Sequence, residues 1–178
     1  MKKKIISIGL NEKDIDRAIK EINEYKQKLL SKCERFTERL ALIGVKEASI
    51  RFTTAMYDGI NDVTVELDDS NSGNCKYRIV ADGEAVAFIE FGSGVYHNPS
   101  EPYPNPRPSG IVGIGEYGKG RGKRKAWFYK GEAGTNGEVQ KNGVVKTRGN
   151  PASMPMWYAS EEMKNSITQI AREVFGSD

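Results

Sequence analysis

Histidine occurs once, at His97, and cysteine only twice, at Cys33 and Cys75, in 178 residues. That scarcity closes off several chemistries. Two thiols far apart in the chain and one imidazole cannot fill the four positions of a structural zinc site. Nor do two cysteines on different segments make a disulfide framework, so two reduced thiols are expected. Long apolar runs are missing as well. A membrane-spanning helix needs about 18 or more apolar residues in succession, and no window approaches that. The opening "MKKKIISIGLNEKD" has the basic start of a secretory signal, but its apolar run is interrupted at Ser7 and ends at Asn11. A signal core needs about 7–15 apolar residues. A short strand is therefore expected there, in a soluble protein that stays inside the cell. The net charge of +3 is too mild by itself to announce a nucleic-acid partner.

What is present reads as one domain, residues 1–178, with 38% hydrophobic content to build its core. Over residues 11–43, Ile15, Ile22, Leu29, Phe36 and Ile43 recur every seven positions, with Ile19, Cys33 and Leu40 four after members of that series. This is one apolar stripe on a long helix. Asn11 is placed to cap it, with Asp14 set for a reciprocal bond, and Gly44 to stop it. Such a stripe can be a coiled-coil seam; with a domain following, a helix laid across a sheet is expected. "ASIRFTTAMY" is β-branched and aromatic and reads as a strand. "DVTVEL" puts Val63, Val65 and Leu67 on one face, and "KYRIVADG" does the same with Tyr77, Ile79 and Ala81. The turn "DDSNSGN" joins them. "EAVAFIEFG" fits a short helix or a buried strand.

Composition then shifts. Residues 95–150 hold 5 of the 7 prolines and 11 of the 19 glycines, and 10 basic against 4 acidic side chains. This segment thus carries +6 and the remainder −3. "NPSEPYPNPRPSG" favours extended backbone, and "GIGEYGKGRGKRK" has little to bury and much backbone entropy to lose. An arm or loop is expected over residues 95–125. A hairpin follows over residues 126–148, "KAWFYK" pairing with "GVVKTRG" through a turn-rich connection. The final segment is a helix with Met156, Ala159, Met163, Ile167, Ile170 and Val174 on one face and Trp157 beside it. Pro155 suits its first turn, with Glu161 and Glu162 early and Arg172 late, as the helix dipole favours. The expected fold is α+β, a long N-terminal and a C-terminal helix packed on a mainly antiparallel β-sheet, with a long Gly/Pro-rich basic loop.

Catalytic signatures are weak. "GIGEYG" matches the dinucleotide fingerprint letter for letter, but prolines precede it and "KGRGKRK" follows, where a strand and a helix are needed. Gly122-Lys123 is followed by Arg124 rather than the Ser or Thr of a phosphate loop. His97 has no nucleophile setting around it. Glu90, between Ile89 and Phe91, is the one carboxylate in an apolar run; a packing or cross-subunit ion pair accounts for it better than catalysis. No acid, base and nucleophile converge, and no catalytic, metal or cofactor residues are expected. "KGRGKRKAWFYK" mixes basic residues with Trp127, Phe128 and Tyr129, a combination that can hold single-stranded nucleic acid by phosphate contact and stacking.

Four pieces together resemble a known family. They are the opening strand with "IGLNEKDIDRAIKEI", the "FIEFGSG" that ends a middle element, the irregular loop after it, and "TRGNPASMPMWYASEEM" leading into the terminal helix. In order and spacing they are similar to the tail-completion or neck proteins of tailed bacteriophages, which form a ring at the head-to-tail joint. The resemblance implies a structural virion protein without enzyme activity. It would assemble as a homo-oligomeric ring, hexamer or dodecamer, located at the virion neck and in the host cytoplasm during assembly. Neighbouring head-connector and tail-terminator or tail-tube proteins are its implied partners, with non-specific DNA contact in the channel and no membrane. Candidate interface residues are then Glu90, Phe91, Tyr103, Arg107, Trp127, Tyr129, Arg148 and Trp157. Candidate DNA-facing residues are Lys119, Arg121, Lys123, Arg124 and Lys125. The alternative is a free-standing nucleic-acid-binding protein that uses the same basic arm.

Overall fold

A computed structural model describes residues 9, 11–92, 126–134, 137–150 and 152–176, apart from the Trp127 side chain. The strand expected near residue 5 and the arm of residues 95–125 lie outside the described residues.

Helix α1, Glu12–Thr54, has 43 residues and is about 64 Å long at 1.5 Å per residue. Its start is as expected. The Asn11 side-chain oxygen accepts from the Asp14 backbone N–H at 2.9 Å, and the Asn11 amide donates to the Asp14 carboxylate at 2.7 Å. Its end is not. Gly44 does not stop the helix, and "ASIRFTTAMY" is not a strand; the helix runs on through Thr54. Leu40, Ala41, Gly44, Ala48 and Phe52 are all buried, a helical spacing that continues straight through the glycine. A Cβ on Gly44 would sit 2.3 Å from Ile79 Cδ1 and 2.4 Å from Met163 Sδ, so the glycine allows close approach rather than a turn. The β-branched hydroxyls bond one turn back, Thr53 to the Ser49 carbonyl at 2.8 Å and Thr54 to that of Ile50 at 2.9 Å, which lets the helix hold them.

Strands β1, Thr64–Asp68, and β2, Arg78–Asp82, pair antiparallel with Val65 opposite Ala81 and Leu67 opposite Ile79. The expected alternation holds, with Val63, Val65, Leu67, Tyr77, Ile79 and Ala81 the more covered positions. The ambiguous "EAVAFIEFG" is a short helix, α2, Val86–Phe91. Strands β3, Trp127–Lys130, β4, Glu138–Val139, and β5, Val144–Thr147, form a second antiparallel sheet in the order β3-β5-β4. β4 arises inside the connection that the sequence presents only as turn. Among the described residues the fold is therefore α+β with two small antiparallel sheets, not one.

Helix α3, Pro155–Gly176, begins at the proline that suits a first turn. It runs antiparallel to α1: Phe36 meets Phe175 at 5.7 Å between ring centroids, Arg39 pairs with Glu173 at 2.5 Å, and Arg51 lies 3.9 Å over the Tyr158 ring. Among the described residues two clusters form the core. Leu40, Ile170 and Val174 make one. Ala48, Phe52, Ala85, Ile89 and Ala159 make the other, with Val63, Val65 and Ala81 packed against it. Ile167, expected on the same face, stays 43% exposed.

Candidate functional site

The segment between α1 and β1, "DGINDV", organises much of the molecule although its sequence says only turn. The Asn61 amide donates to the Phe52 carbonyl at 2.8 Å, which at the end of α1 also accepts from the Ala55 N–H at 3.3 Å. Asp62 faces the other way. Its carboxylate accepts from the backbone N–H groups of Glu84 at 2.8 Å and Ala85 at 3.0 Å, just ahead of α2. Those two bonds hold the Asp62 carboxyl below the usual carboxylate range. Gly83, at φ +137°, supplies the turn; a Cβ there would lie 2.9 Å from the Asp62 carbonyl oxygen.

Asp58 is buried and ties the same segment to the second sheet. The Thr147 hydroxyl donates to its carboxylate, and the Gly149 N–H donates to the Thr147 hydroxyl oxygen at 2.9 Å. The Asp58 carbonyl accepts from Gly134 N–H at 2.8 Å and from the Tyr129 hydroxyl. Burial pushes the Tyr129 hydroxyl above its usual 10.0, and the Asp58 carboxylate adds to that. Tyr57 is raised as well, first by burial and then by Asp62. Gly134 has no room for a side chain, because a Cβ would lie 2.1 Å from the Tyr57 carbonyl oxygen.

Glu90 does its work at the far end of α2. It is 5% exposed. Its carboxylate accepts from the Met156 N–H at 2.8 Å and the Trp157 N–H at 3.2 Å, the open donors at the start of α3. The Ser153 N–H donates to the neighbouring Ile89 carbonyl at 2.9 Å. Met154 between them has φ 52°, a backbone region that non-glycine residues seldom occupy. The first turn of α3 contains no acidic residue and its last turn no basic one. Glu161, Glu162 and Arg172 therefore do not serve the helix ends as expected, and Glu90 supplies the negative charge that the N-terminus favours.

The other sequence candidates separate. Phe91 is half-buried and Arg148 exposed. Trp157 is half-buried, with the Lys164 ammonium 5.4 Å from its ring centre. Tyr129 turns its hydroxyl inward to the Asp58 carbonyl, while Phe128, its neighbour in β3, is 61% exposed. Phe128 shares its outward sheet face with Lys146, its cross-strand partner, and Lys146 pairs with Glu138 at 3.7 Å. Trp127 pairs with Thr147 through the backbone. Tyr103, Arg107, Lys119, Arg121, Lys123, Arg124 and Lys125 lie outside the described residues. The two thiols are closer than their sequence positions suggest. Cys75 Sγ sits 3.9 Å from the Leu30 carbonyl, one turn from Cys33, and burial, with Cys33 and Glu34 adding to it, pushes the Cys75 thiol up.

Chemically, these carboxylates act as hydrogen-bond acceptors for backbone and hydroxyl groups. Among the described residues no group of three or more His, Cys, Asp or Glu side chains could hold a metal ion, and no helix is long and apolar enough to cross a membrane. The residues sequence reasoning missed are Asp58, Asn61, Asp62 and Thr147. The signal available for three of them was an Asp/Asn cluster around a glycine, which marks side-chain-to-backbone bonding. Compared with protein-family models, with curated proteins and with solved structures, the chain matches none.

Proposed function

We propose that this chain is a structural subunit of the ring at the head-to-tail joint of a tailed phage or prophage, a neck or tail-completion protein without enzymatic activity. The observation that carries the reading is the junction at Glu90. Two of the four pieces on which the resemblance rests, "FIEFGSG" and "TRGNPASMPMWYASEEM", are 66 positions apart as counted from Glu90 to Met156, yet they bond directly. They are one device: the first motif caps the helix that the second begins. That the two motifs meet in one junction supports reading them together as parts of one unit.

The segregation of charge supports the same reading. A body of −3 bears a segment of +6, suited to neighbouring subunits, to adjacent head-connector and tail proteins, and to DNA crossing the channel. Arms that bury themselves against a neighbour cover large surfaces, which gives a use for a segment so rich in glycine, proline and positive charge. Immunogold electron microscopy of particles from the source phage, with antibody against this chain, is the test. Label at the junction of head and tail is expected. Label confined to other parts of the particle, or none, refutes the reading.

A further inference from the structure

The apolar stripe of α1 has two fates. Over residues 36–51 it lies against α3, as the contacts at Phe36, Leu40, Gly44 and Arg51 record. Over residues 15–30 the same stripe continues, but Ile15, Ile19 and Ile22 are 45%, 52% and 50% exposed, and Tyr25 and Leu30 42%. Ile15, Ile19, Ile22 and Tyr25 follow at three- and four-residue spacing along one side of the helix, around the buried Ala18 and beside Lys26, and together expose more apolar surface than the scattered single residues that a protein surface normally shows.

Charge along this stretch is uneven. Residues 11–24 hold 5 acidic and 3 basic side chains, and residues 25–33 hold 3 basic and none acidic. Two such helices side by side in parallel would set like against like at both ends. Reversed, the acidic stretch of each copy runs along the basic stretch of the other, and the helix dipoles oppose favourably too. The stripe is also self-complementary on reversal. Centred on Ile22, it brings Ile15 level with Leu29 of the second copy and Ile19 level with Tyr25.

We infer that residues 15–30 of α1 are a self-association surface, on which a second copy of this chain packs its own α1 antiparallel about a two-fold axis through Ile22. The contact does not rest on the ring reading, since a two-fold contact closes after two copies and a ring needs a different one.

Cysteine cross-linking in the full chain tests it, in a Cys33→Ala, Cys75→Ser background. Ile22→Cys should cross-link to itself on mild oxidation. A mixture of Ile15→Cys and Leu29→Cys should give the mixed dimer well above either self-product. Self-cross-linking of Ile15→Cys as strong as the mixed dimer would mean parallel pairing and overturn the proposal. So would absence of all cross-links with Ile22→Cys protected from thiol reagent in the monomer, which would mean that another part of the chain covers the stripe. Ile22→Asp, at an exposed position, should keep the helical circular-dichroism signal while weakening self-association at least ~10-fold, equivalent to about 1.4 kcal/mol. Lys26→Glu with Lys28→Glu should weaken it as well, through the charges alone. Unchanged self-association in either variant contradicts the proposal. A ring without the cross-link leaves the neck reading standing and removes this one; the cross-link in a chain that forms no ring does the reverse.

Discussion

Replacing Glu90 by alanine isolates the junction between the two motifs. The carboxylate is 5% exposed and accepts two backbone N–H bonds at 2.8 and 3.2 Å. Hydrogen bonds to a charged group contribute about 1.5–3 kcal/mol each, and stranding a buried donor costs about 1–3 kcal/mol. The α3 start is close enough to the surface for water to replace part of this, and loss of a helix cap in other settings costs about 0.5–2 kcal/mol. A destabilisation of about 2–4 kcal/mol is the expected range, a large part of the roughly 5–15 kcal/mol that holds a domain together. Glu90→Gln should lose about half as much, because its carbonyl can serve one N–H while its NH₂ opposes the other. Glu162→Gln, on the exposed side of α3, is the control and should stay within about 0.5 kcal/mol of the parent. Urea unfolding followed by circular dichroism reads all three. If Glu90→Ala unfolds at the same urea midpoint and with the same slope as the parent, the cap contributes nothing and the reasoning about the junction is wrong.

Gly44→Ala pits helix propensity against packing: alanine gains about 1 kcal/mol as a helix former, but its methyl would meet Ile79 and Met163 at 2.3 and 2.4 Å. Overpacking of this kind costs about 1–3 kcal/mol, so thermal melting should show a net loss, and a raised melting temperature would contradict the close approach. The Asp62 carboxyl is held below its usual 3.8 by backbone bonds from Glu84 and Ala85, so its contribution is present above that value and disappears as pH falls through the lower folded value. Asp62→Asn should therefore flatten the acid side of the stability–pH curve below about pH 4, and an unchanged acid limb speaks against the cap. Tyr57 and Tyr129 are raised above 10.0, so their contribution is complete below pH 10.0 and declines as pH rises through the folded values. Tyr129→Phe should weaken that alkaline loss, measured by urea unfolding between pH 9 and 11. Serine at Lys119, Arg121, Lys123, Arg124 and Lys125 should leave circular dichroism and melting unchanged yet reduce the yield of joined, DNA-filled particles. A single surface charge contact is worth only about 0–1 kcal/mol, but in a ring every subunit would carry the same loss; normal particle yield would separate the basic run from assembly.

Strong local patterns were readable from the residues. The Asn11 cap, the alternation through Val65 and Ile79, the strands "KAWFYK" and "GVVKTRG" and the helix beginning at Pro155 each carry a signal in residues a few positions apart. The errors came from effects that act at a distance. Gly44 looks like a stop until Ile79 and Met163 are known to press on it, and the β-branched run after it looks like a strand until Ala48 and Phe52 are seen in the core. β4 is two residues long and exists through its pairing with β5, so no periodicity could announce it. At the candidate site, Glu90 was recognisable as an unusual carboxylate in an apolar run. Its partners, the backbone donors of Met156 and Trp157, have no side-chain signature. Tyr129 was drawn from an aromatic strand whose inward and outward members only the register with β5 assigns, and Phe128 is the outward one.

The most direct test of the central claim is native mass measurement of the purified full chain, from dilute to concentrated solution. A ring subunit should give one discrete closed species of fixed copy number, hexamer or dodecamer, stable to moderate salt. A chain that remains monomeric or dimeric at every concentration, and binds single-stranded nucleic acid tightly with a steep loss on adding salt, would contradict the neck reading and make the basic segment a nucleic-acid arm.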